Sequence, residues 1–345
     1  MRILIVRLSA LGDIVMASGL IPALRTRWPD AHIAWLAEPA GAVLLDANPR
    51  VDEVIRWDRL GWKALARGGR WLALGRAVAG LRGRLRAGQY DLVLDTQGLL
   101  KSALPAWLSA APRRVGLASR EGGHRLMTEV VQRPGDGRRL GSEYRQLAAH
   151  LGCPDTPYGP DLALSEADQA DAAHALAAAG VNGPYAALCP FTTRAQKHWF
   201  EDRWIALGRA LAERHGLLPV VLGGPDDRSA ADTLASAMGA GAVTLAGRLG
   251  LRASAAAVAD ARLVVGVDTA LTHMGTAFHR PTVALFGSTR PYLETDSPGT
   301  RVLYEPLWCS PCRRRPICGG VFSCMRLHRP EGVLDAAARA MEDAP

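Results

Sequence analysis

Apolar positions along this chain follow two alternating rhythms. Short apolar runs predict buried strands at Arg2–Val6, His32–Leu36, Tyr90–Asp95, Tyr185–Cys189 and Pro219–Leu222, with briefer ones at Val54–Arg56, Arg114–Gly116 and Ala242–Leu245. Between them, apolar residues at helical spacing predict helices over Ile14–Trp28, Val43–Ala47, Leu100–Ala110, Glu143–Leu151, Trp204–His215, 228–239, Leu251–Asp260 and Pro330–Met341. Residues 59–87 predict one or two more. Strands that alternate with helices need long crossovers, and these build parallel sheets covered on both faces. The fold class expected is therefore α/β.

The segment Leu263–Gly287 shows the pattern in full: an apolar strand, a polar turn, a small-residue helix and a second apolar strand. Its turn, Asp268-Thr269-Ala270-Leu271-Thr272-His273, falls where the strand meets the helix. A helix start directs unpaired N–H groups and partial positive charge outward, which favours a phosphate. An ordinary helix cap accounts for the same Asp and Thr.

A length of 345 residues suits two domains, and a hydrophobic content of 48% can fill two cores. Pro154, Pro157 and Pro160 mark the expected linker. The expected division is residues 1–160, residues 161–329, and a terminal helix over 330–345 that could pack back on the first domain. No apolar run reaches the roughly 18 residues of a membrane span. The apolar N-terminus is interrupted by Arg7 and Asp13, which suits a strand and helix better than a signal peptide. A cytoplasmic protein is expected.

Charge is uneven. Residues 50–150 hold 19 Lys and Arg against nine Asp and Glu, and Arg59 to Arg86 contains eight basic residues and no acidic one. Such a patch suits an acidic substrate, an anionic membrane or nucleic acid, and equally a solvated helix face.

Candidate chemistry clusters in the turns after strands, where open α/β sheets bind ligands. In Arg7-Leu8-Ser9-Ala10-Leu11-Gly12-Asp13, Gly12 allows close approach. Asp13 could accept the proton of an attacking hydroxyl, whose own pKa lies far above 7; helix capping is the plainer role, with Ser9 a second cap candidate. The turn lacks the G-x-G-x-x-G dinucleotide fingerprint, which argues against a nicotinamide oxidoreductase. Asp95-Thr96-Gln97-Gly98 precedes Lys101, and with Arg120 nearby could form an anion pocket. Thr192, Thr193 and Lys197 resemble a phosphate clamp, with hydroxyl donors beside a cation. Asp226, in Gly223-Gly224-Pro225-Asp226-Asp227, could bind ribose hydroxyls or simply close a turn.

Six cysteines are present, and Cys309, Cys312, Cys318 and Cys324 lie within 16 residues. In a cytoplasmic chain this clustering favours a closed structural zinc or iron site, with free thiols and disulfides as alternatives. A nucleic-acid-binding knuckle is a distant reading, because few aromatics interleave the cysteines; no nucleic acid is expected.

Taken together, these residues resemble glycosyltransferase family 9, the ADP-heptose:lipopolysaccharide heptosyltransferases. The resemblance runs over most of the chain. It is carried by Arg7-Leu8-Ser9-x2-Gly12-Asp13, by Tyr90-Asp91-x3-Asp95-x-Gln97-Gly98-Leu99-x-Lys101-Ser102, by Thr192-Thr193-x3-Lys197-His198-Trp199, and by Asp268-Thr269-x-Leu271-x-His273 with Arg280-Pro281-Thr282. The middle two look closest to the heptosyltransferase I branch. The resemblance implies a GT-B architecture, two Rossmann-like parallel-sheet domains facing a cleft. It also implies inverting transfer that needs no metal, from ADP-heptose to a Kdo-lipid A inner core, by an enzyme peripheral to the inner face of the cytoplasmic membrane.

Asp13 would then be the base. Thr192, Thr193, Lys197 and Thr269 would hold the diphosphate, Asp268 would contact the heptose, and His273 would steady the site. Leu249 would lie against adenine, and Gly12, Lys101 and Arg120 would serve the acceptor. Two departures are notable. Ala270 stands where the family usually has glycine. The cysteine tail resembles other family members, including protein heptosyltransferases that hold iron, so a second core heptose or a protein hydroxyl are alternative acceptors.

Overall fold

The computed structural model describes residues 1–119, 121–134, 137–154, 158–239 and 241–344. The chain divides into two compact units, Met1–Asp136 with Gly141–Ala163, and Gly137–Leu140 with Leu164–Pro345. The sequence gives no sign that Gly137–Leu140 would belong with the second unit, and two of the linker prolines, Pro154 and Pro160, fall inside the first. Pro157 lies outside the described residues.

The first unit runs β1 (Arg2–Val6), α1 (Leu11–Ala17), α2 (Leu20–Arg27), β2 (His32–Ala37), α3 (Pro39–Ala42), β3 (Glu53–Arg56), α4 (Arg59–Arg67), α5 (Trp71–Ala87), β4 (Leu92–Asp95), α6 (Leu100–Leu108), β5 (Arg113–Leu117), β6 (Glu129–Val131) and α7 (Ser142–His150). Its strands are parallel in the order β3-β2-β1-β4-β5-β6. Alternation sets its two cores: Ile3, Ile5, Ile33, Trp35 and Leu94 pack on one face, and Leu4, Val6, Ala34, Leu36 and Val93 on the other. Each Leu or Ile so buried stabilises the fold by roughly 1.5–3 kcal/mol.

The second unit runs α8 (Glu166–Ala178), β7 (Tyr185–Cys189), α9 (Glu201–His215), β8 (Leu218–Val221), α10 (Arg228–Met238), β9 (Val243–Thr244), α11 (Leu251–Asp260), β10 (Leu263–Val267), α12 (Ala270–Ala277), β11 (Thr282–Phe286), β12 (Thr300–Tyr304), α13 (Ser323–Arg326) and α14 (Pro330–Glu342). The sheet order is β12-β11-β10-β7-β8-β9, again parallel. Both sheets share one topology. Each reverses direction between its first and fourth strands, at β1/β4 and at β7/β10, and such a switch point opens a crevice at the strands' carboxyl ends.

Three readings change. The helix expected over Ile14–Trp28 is two helices, starting earlier, at Leu11, and broken at Ser18-Gly19. The break follows from distant residues: Ser18 Oγ accepts the Asp161 N–H at 2.7 Å, and a Cβ on Gly19 would meet the Tyr158 ring at 2.5 Å. The helix expected at Val43–Ala47 lies instead at Pro39–Ala42, because Pro39 provides a favoured first helical residue. The helix α8 escapes prediction because alanine dominates it, although Ser165 caps it reciprocally with Asp168. The terminal helix α14 contributes to a core of its own unit. Val333, Leu334, Ala336, Ala337 and Ala340 are buried there.

Candidate active site

The sequence motifs fall at the two switch points. In the first unit, β1 and β4 end in Arg7–Asp13 and in Thr96-Gln97-Gly98. Arg7 is buried and ties the two turns together. Its Nη1 donates to Thr96 O at 2.8 Å, its Nη2 lies 2.5 Å from Asp13 Oδ2, and its guanidinium covers the Tyr144 ring at 5.8 Å. Burial opposes the Arg7 charge, but Tyr144 and Asp13 outweigh it and raise its pKa. From the other side, Gln97 Oε1 accepts the Leu8 N–H at 3.2 Å, and the buried Asp95 accepts the N–H groups of Gln97 and Gly98, each at 3.0 Å. Asp95 and Gln97 are thus committed to shaping the turn.

Asp13 sits in the first turn of α1, beside half-buried Gly12, and accepts the Ala10 N–H at 3.2 Å with Oδ2. The carboxylate thus caps the first turn of α1. Both contacts fall on Oδ2, which leaves Oδ1 for a ligand, on a side chain that is 41% exposed. Ser9 is not the cap. Its hydroxyl accepts Lys101 Nζ at 3.0 Å. Burial, with Arg59 and Arg7 nearby and Glu38 opposing, lowers the Lys101 pKa. Arg120, the other expected acceptor residue, lies outside the described residues.

In the second unit, β7 and β10 end in Pro190–Lys197 and in Asp268–His273. Asp268 is the hub. Its Oδ2 takes Lys197 Nζ at 2.6 Å and the Thr289 hydroxyl at 2.6 Å, and its Oδ1 lies 3.2 Å from His273 Nε2. The other nitrogen of His273 meets the Tyr292 hydroxyl at 2.7 Å. Burial alone would raise the Asp268 pKa, but the His273 hydrogen bond and the Lys197 charge hold it well below the usual carboxylate range. Burial and the Asp268 charge push the Tyr292 phenol above its ordinary value.

Above this knot, Thr269 is the N-cap of α12 and makes no side-chain capping bond, so the first N–H groups of the helix are available to an anion. Ala270 occupies the first helical position without a positive φ, so the absence of glycine strains nothing. Thr192 and Thr193 lie in the loop that ends β7, where His198 Nε2 contacts Thr192 O at 2.8 Å. Asp226 is exposed at the end of β8; its neighbour Asp227 closes the turn, accepting the Gly224 N–H at 2.8 Å. Leu249 is half-buried beyond β9, ahead of α11.

Tyr144, Thr289 and Tyr292 were not singled out from the sequence, and Arg7, which opens a quoted motif, was given no role of its own there. Thr289 follows β11, so the same strand-end rule could have found it. Tyr144 and Tyr292 carried no local signal.

Comparison with known proteins identifies the family. Residues 78–318 match the family described as glycosyltransferase family 9 (heptosyltransferase). The chain belongs to this family. It is 31% identical to the lipopolysaccharide heptosyltransferase 1 of Pseudomonas aeruginosa, covering 91% of this chain and 87% of that protein. It is 30% identical to that of Salmonella typhimurium, covering 85% and 90%. Among solved structures, an Escherichia coli heptosyltransferase with ADP-2-deoxy-2-fluoro heptose superposes with a TM-score of 0.73 at 25% identity, over 97% of this chain and 98% of that one. A family 9 glycosyl transferase from Veillonella parvula superposes with a TM-score of 0.85 at 21% identity, over 99% and 98%. This enzyme is thus a glycosyltransferase of the α/β GT-B class.

The four clustered cysteines sit on the loop between β12 and α13 and at the start of α13. Burial raises the Cys324 thiol, and charge on Cys312, Cys309 and Cys318 adds to the shift, so the four lie within electrostatic reach of one another. Among the described residues, however, no three His, Cys, Asp or Glu side chains are gathered as a metal would need. The loop also braces the turns after β11 and β7: Ser310 Oγ donates to Gly287 O, and Gln196 Nε2, beside Lys197, donates to Arg313 O at 3.0 Å.

Proposed function

We propose that this enzyme transfers heptose from ADP-heptose to the Kdo-bearing inner core of lipid A, with inversion at the anomeric carbon. The observation that carries the reading is the knot of Lys197, Asp268, His273 and Tyr292 beneath the uncapped start of α12. It presents a cation and backbone N–H donors to a diphosphate while fixing an ionised carboxylate where the attached sugar's hydroxyls would lie. The related proteins from P. aeruginosa and S. typhimurium are named for heptosyl transfer to lipopolysaccharide.

The chemistry is one displacement. Asp13 Oδ1 takes the proton of the acceptor hydroxyl, the oxygen bonds to the anomeric carbon, and the bond from that carbon to the diphosphate oxygen breaks. Negative charge grows on departing ADP, and the α12 N–H groups with Lys197 stabilise it; such preorganised donors cost no reorganisation during the reaction. Lys197 has three N–H donors and uses two, on Asp268 Oδ2 and on Asp268 O at 3.1 Å, so one remains for phosphate. Arg7 fixes the Asp13 carboxylate, and Lys101 offers charge to an acidic acceptor.

Mass-detected transfer from a panel of nucleotide sugars to Kdo-lipid A, heptosylated core and protein tests the assignment. Preferred transfer to Kdo-lipid A is expected; preference for the heptosylated core or for protein would replace the acceptor. Retention of a zinc or iron by the four thiols is a separate proposal, checked by metal analysis of purified protein beside a Cys309→Ser/Cys324→Ser variant. A cytoplasmic location at the inner face of the membrane is part of the same reading. No helix among the described residues is long and apolar enough to cross a membrane.

A further inference from the structure

The first unit carries a surface that the transfer chemistry leaves unexplained. The helix α4 buries none of its residues, and α5 buries only Leu81 and Leu85 of its 17. Where solvated helices normally show polar side chains, these expose Leu60 at 66%, Trp71 at 65% and Leu72 at 82%. The next helix in space repeats the anomaly. Leu100, Leu104 and Trp107 of α6 follow an i, i+4, i+7 spacing, which makes one stripe on a helix, and all three are exposed. The helix α5 packs against both α4 and α6.

Charge accompanies the apolar groups. Of the eight basic residues from Arg59 to Arg86, Arg59 pairs with Glu38 and Arg84 with Glu53. Lys63, Arg67, Arg70, Arg76, Arg82 and Arg86 show no acidic partner among the described residues, and the segment holds no acidic side chain. Exposed Trp and Leu beside unpaired Lys and Arg match an anionic lipid surface, where rings and aliphatic groups enter the headgroup boundary and cations meet phosphates. Aliphatic Leu60, Leu72 and Leu104 offer nothing for a nucleobase to stack on, which sets lipid above nucleic acid.

Position supplies the last argument. The α6 stripe starts at the β4 turn, and Lys101, one residue after Leu100, reaches Ser9 beside Asp13. An acceptor anchored in a bilayer would present its headgroup at that turn.

We infer that α4, α5 and the outer stripe of α6 form a docking face for an anionic bilayer, which delivers the acceptor to Asp13. The inference rests on the lipid-anchored acceptor proposed above. It is tested by co-sedimentation of the full-length protein with phosphatidylglycerol–phosphatidylcholine vesicles against pure phosphatidylcholine. Binding is expected only to the anionic vesicles, with a blue shift of tryptophan emission. A charge variant, Arg76→Gln/Arg82→Gln/Arg86→Gln, should bind about a hundredfold more weakly, since each basic residue near an anionic surface contributes roughly a factor of five. An insertion variant, Trp71→Ala/Leu72→Ala, should lose the blue shift. Both should keep wild-type ADP binding and wild-type transfer to a delipidated, soluble acceptor while losing transfer to vesicle-borne acceptor.

Equal binding to neutral vesicles, or variants that bind like wild type, would overturn the inference. So would a concentration-dependent dimer abolished by Trp71→Ala/Leu72→Ala without vesicle binding, which would assign the face to a second copy. Vesicle binding needs no sugar donor. Binding without heptosyl transfer to any acceptor would therefore leave the face standing and overturn the function proposed above.

Discussion

Lys197 Nζ lies 2.6 Å from Asp268 Oδ2, joining the ends of β7 and β10 across the switch point of the second sheet. The two residues are 71 positions apart. The pair makes the Lys197 ammonium part of a fixed network rather than a mobile side chain.

Asp268→Ala should therefore cost stability and turnover while sparing the nucleotide. Removing one partner of a buried pair destabilises by on the order of 3 kcal/mol, read as a lower denaturation midpoint. Affinity for ADP, measured by calorimetry, should hold or rise because Lys197 gains a free charge; a large fall in ADP affinity would refute the arrangement. The sign of the pH dependence follows from the depressed Asp268 pKa. Its contribution is complete above the unfolded value of about 3.9 and is lost only as pH falls through the lower folded value. The gap between wild type and variant should thus persist across neutral and mildly acidic pH and close only in strong acid.

Asp13→Ala separates base from cap. Loss of a general base lowers turnover by roughly 10²–10⁴-fold, and loss of the contact to the Ala10 N–H should cost about 1 kcal/mol of stability. ADP affinity should be unchanged, since Asp13 belongs to the first unit and the donor knot to the second. Near-normal turnover would leave Asp13 with the cap alone.

Lys101 predicts an acceptor effect that varies with pH. Lys101→Met should raise the acceptor KM with little change in ADP affinity. In wild type, the lowered Lys101 pKa means the charge disappears as pH rises, before that of an ordinary lysine near 10.4. Acceptor KM should climb over that alkaline range, and Lys101→Arg should flatten the rise. A flat wild-type profile would show that Lys101 does not meet the acceptor.

Gly266 tests how closely α12 must approach its sheet. A Cβ there would meet Thr272 Oγ1 at 2.0 Å and Cys189 Cβ at 2.8 Å. Thr272 Oγ1 donates to Val267 O at 2.7 Å and holds the helix to the strand. Gly266→Ala should displace the helix start, lowering stability by about 1–3 kcal/mol and weakening ADP together with it. Unchanged ADP affinity would mean that the α12 N–H groups do not hold the diphosphate.

Much of the architecture was legible along the chain because its causes are local. A strand such as Leu263–Val267 is apolar throughout since both faces of a parallel sheet are covered, and a turn such as Asp268-Thr269 announces a helix start. Where the cause was remote, the reading failed. The break at Ser18-Gly19 depends on Asp161 and Tyr158, which lie far along the chain.

The sequence by itself determined the alternation of strands and helices, the polar turns that follow the strands and the family to which the chain belongs. These follow from side-chain periodicity and short-range backbone chemistry. Tertiary structure alone decided that Arg7 would grip Asp13 and Thr96, 89 residues away, and that His273 would join Asp268 to Tyr292. Parallel sheets bring distant strand ends together, so partners at a switch point are neighbours in space without any periodic relation in the chain.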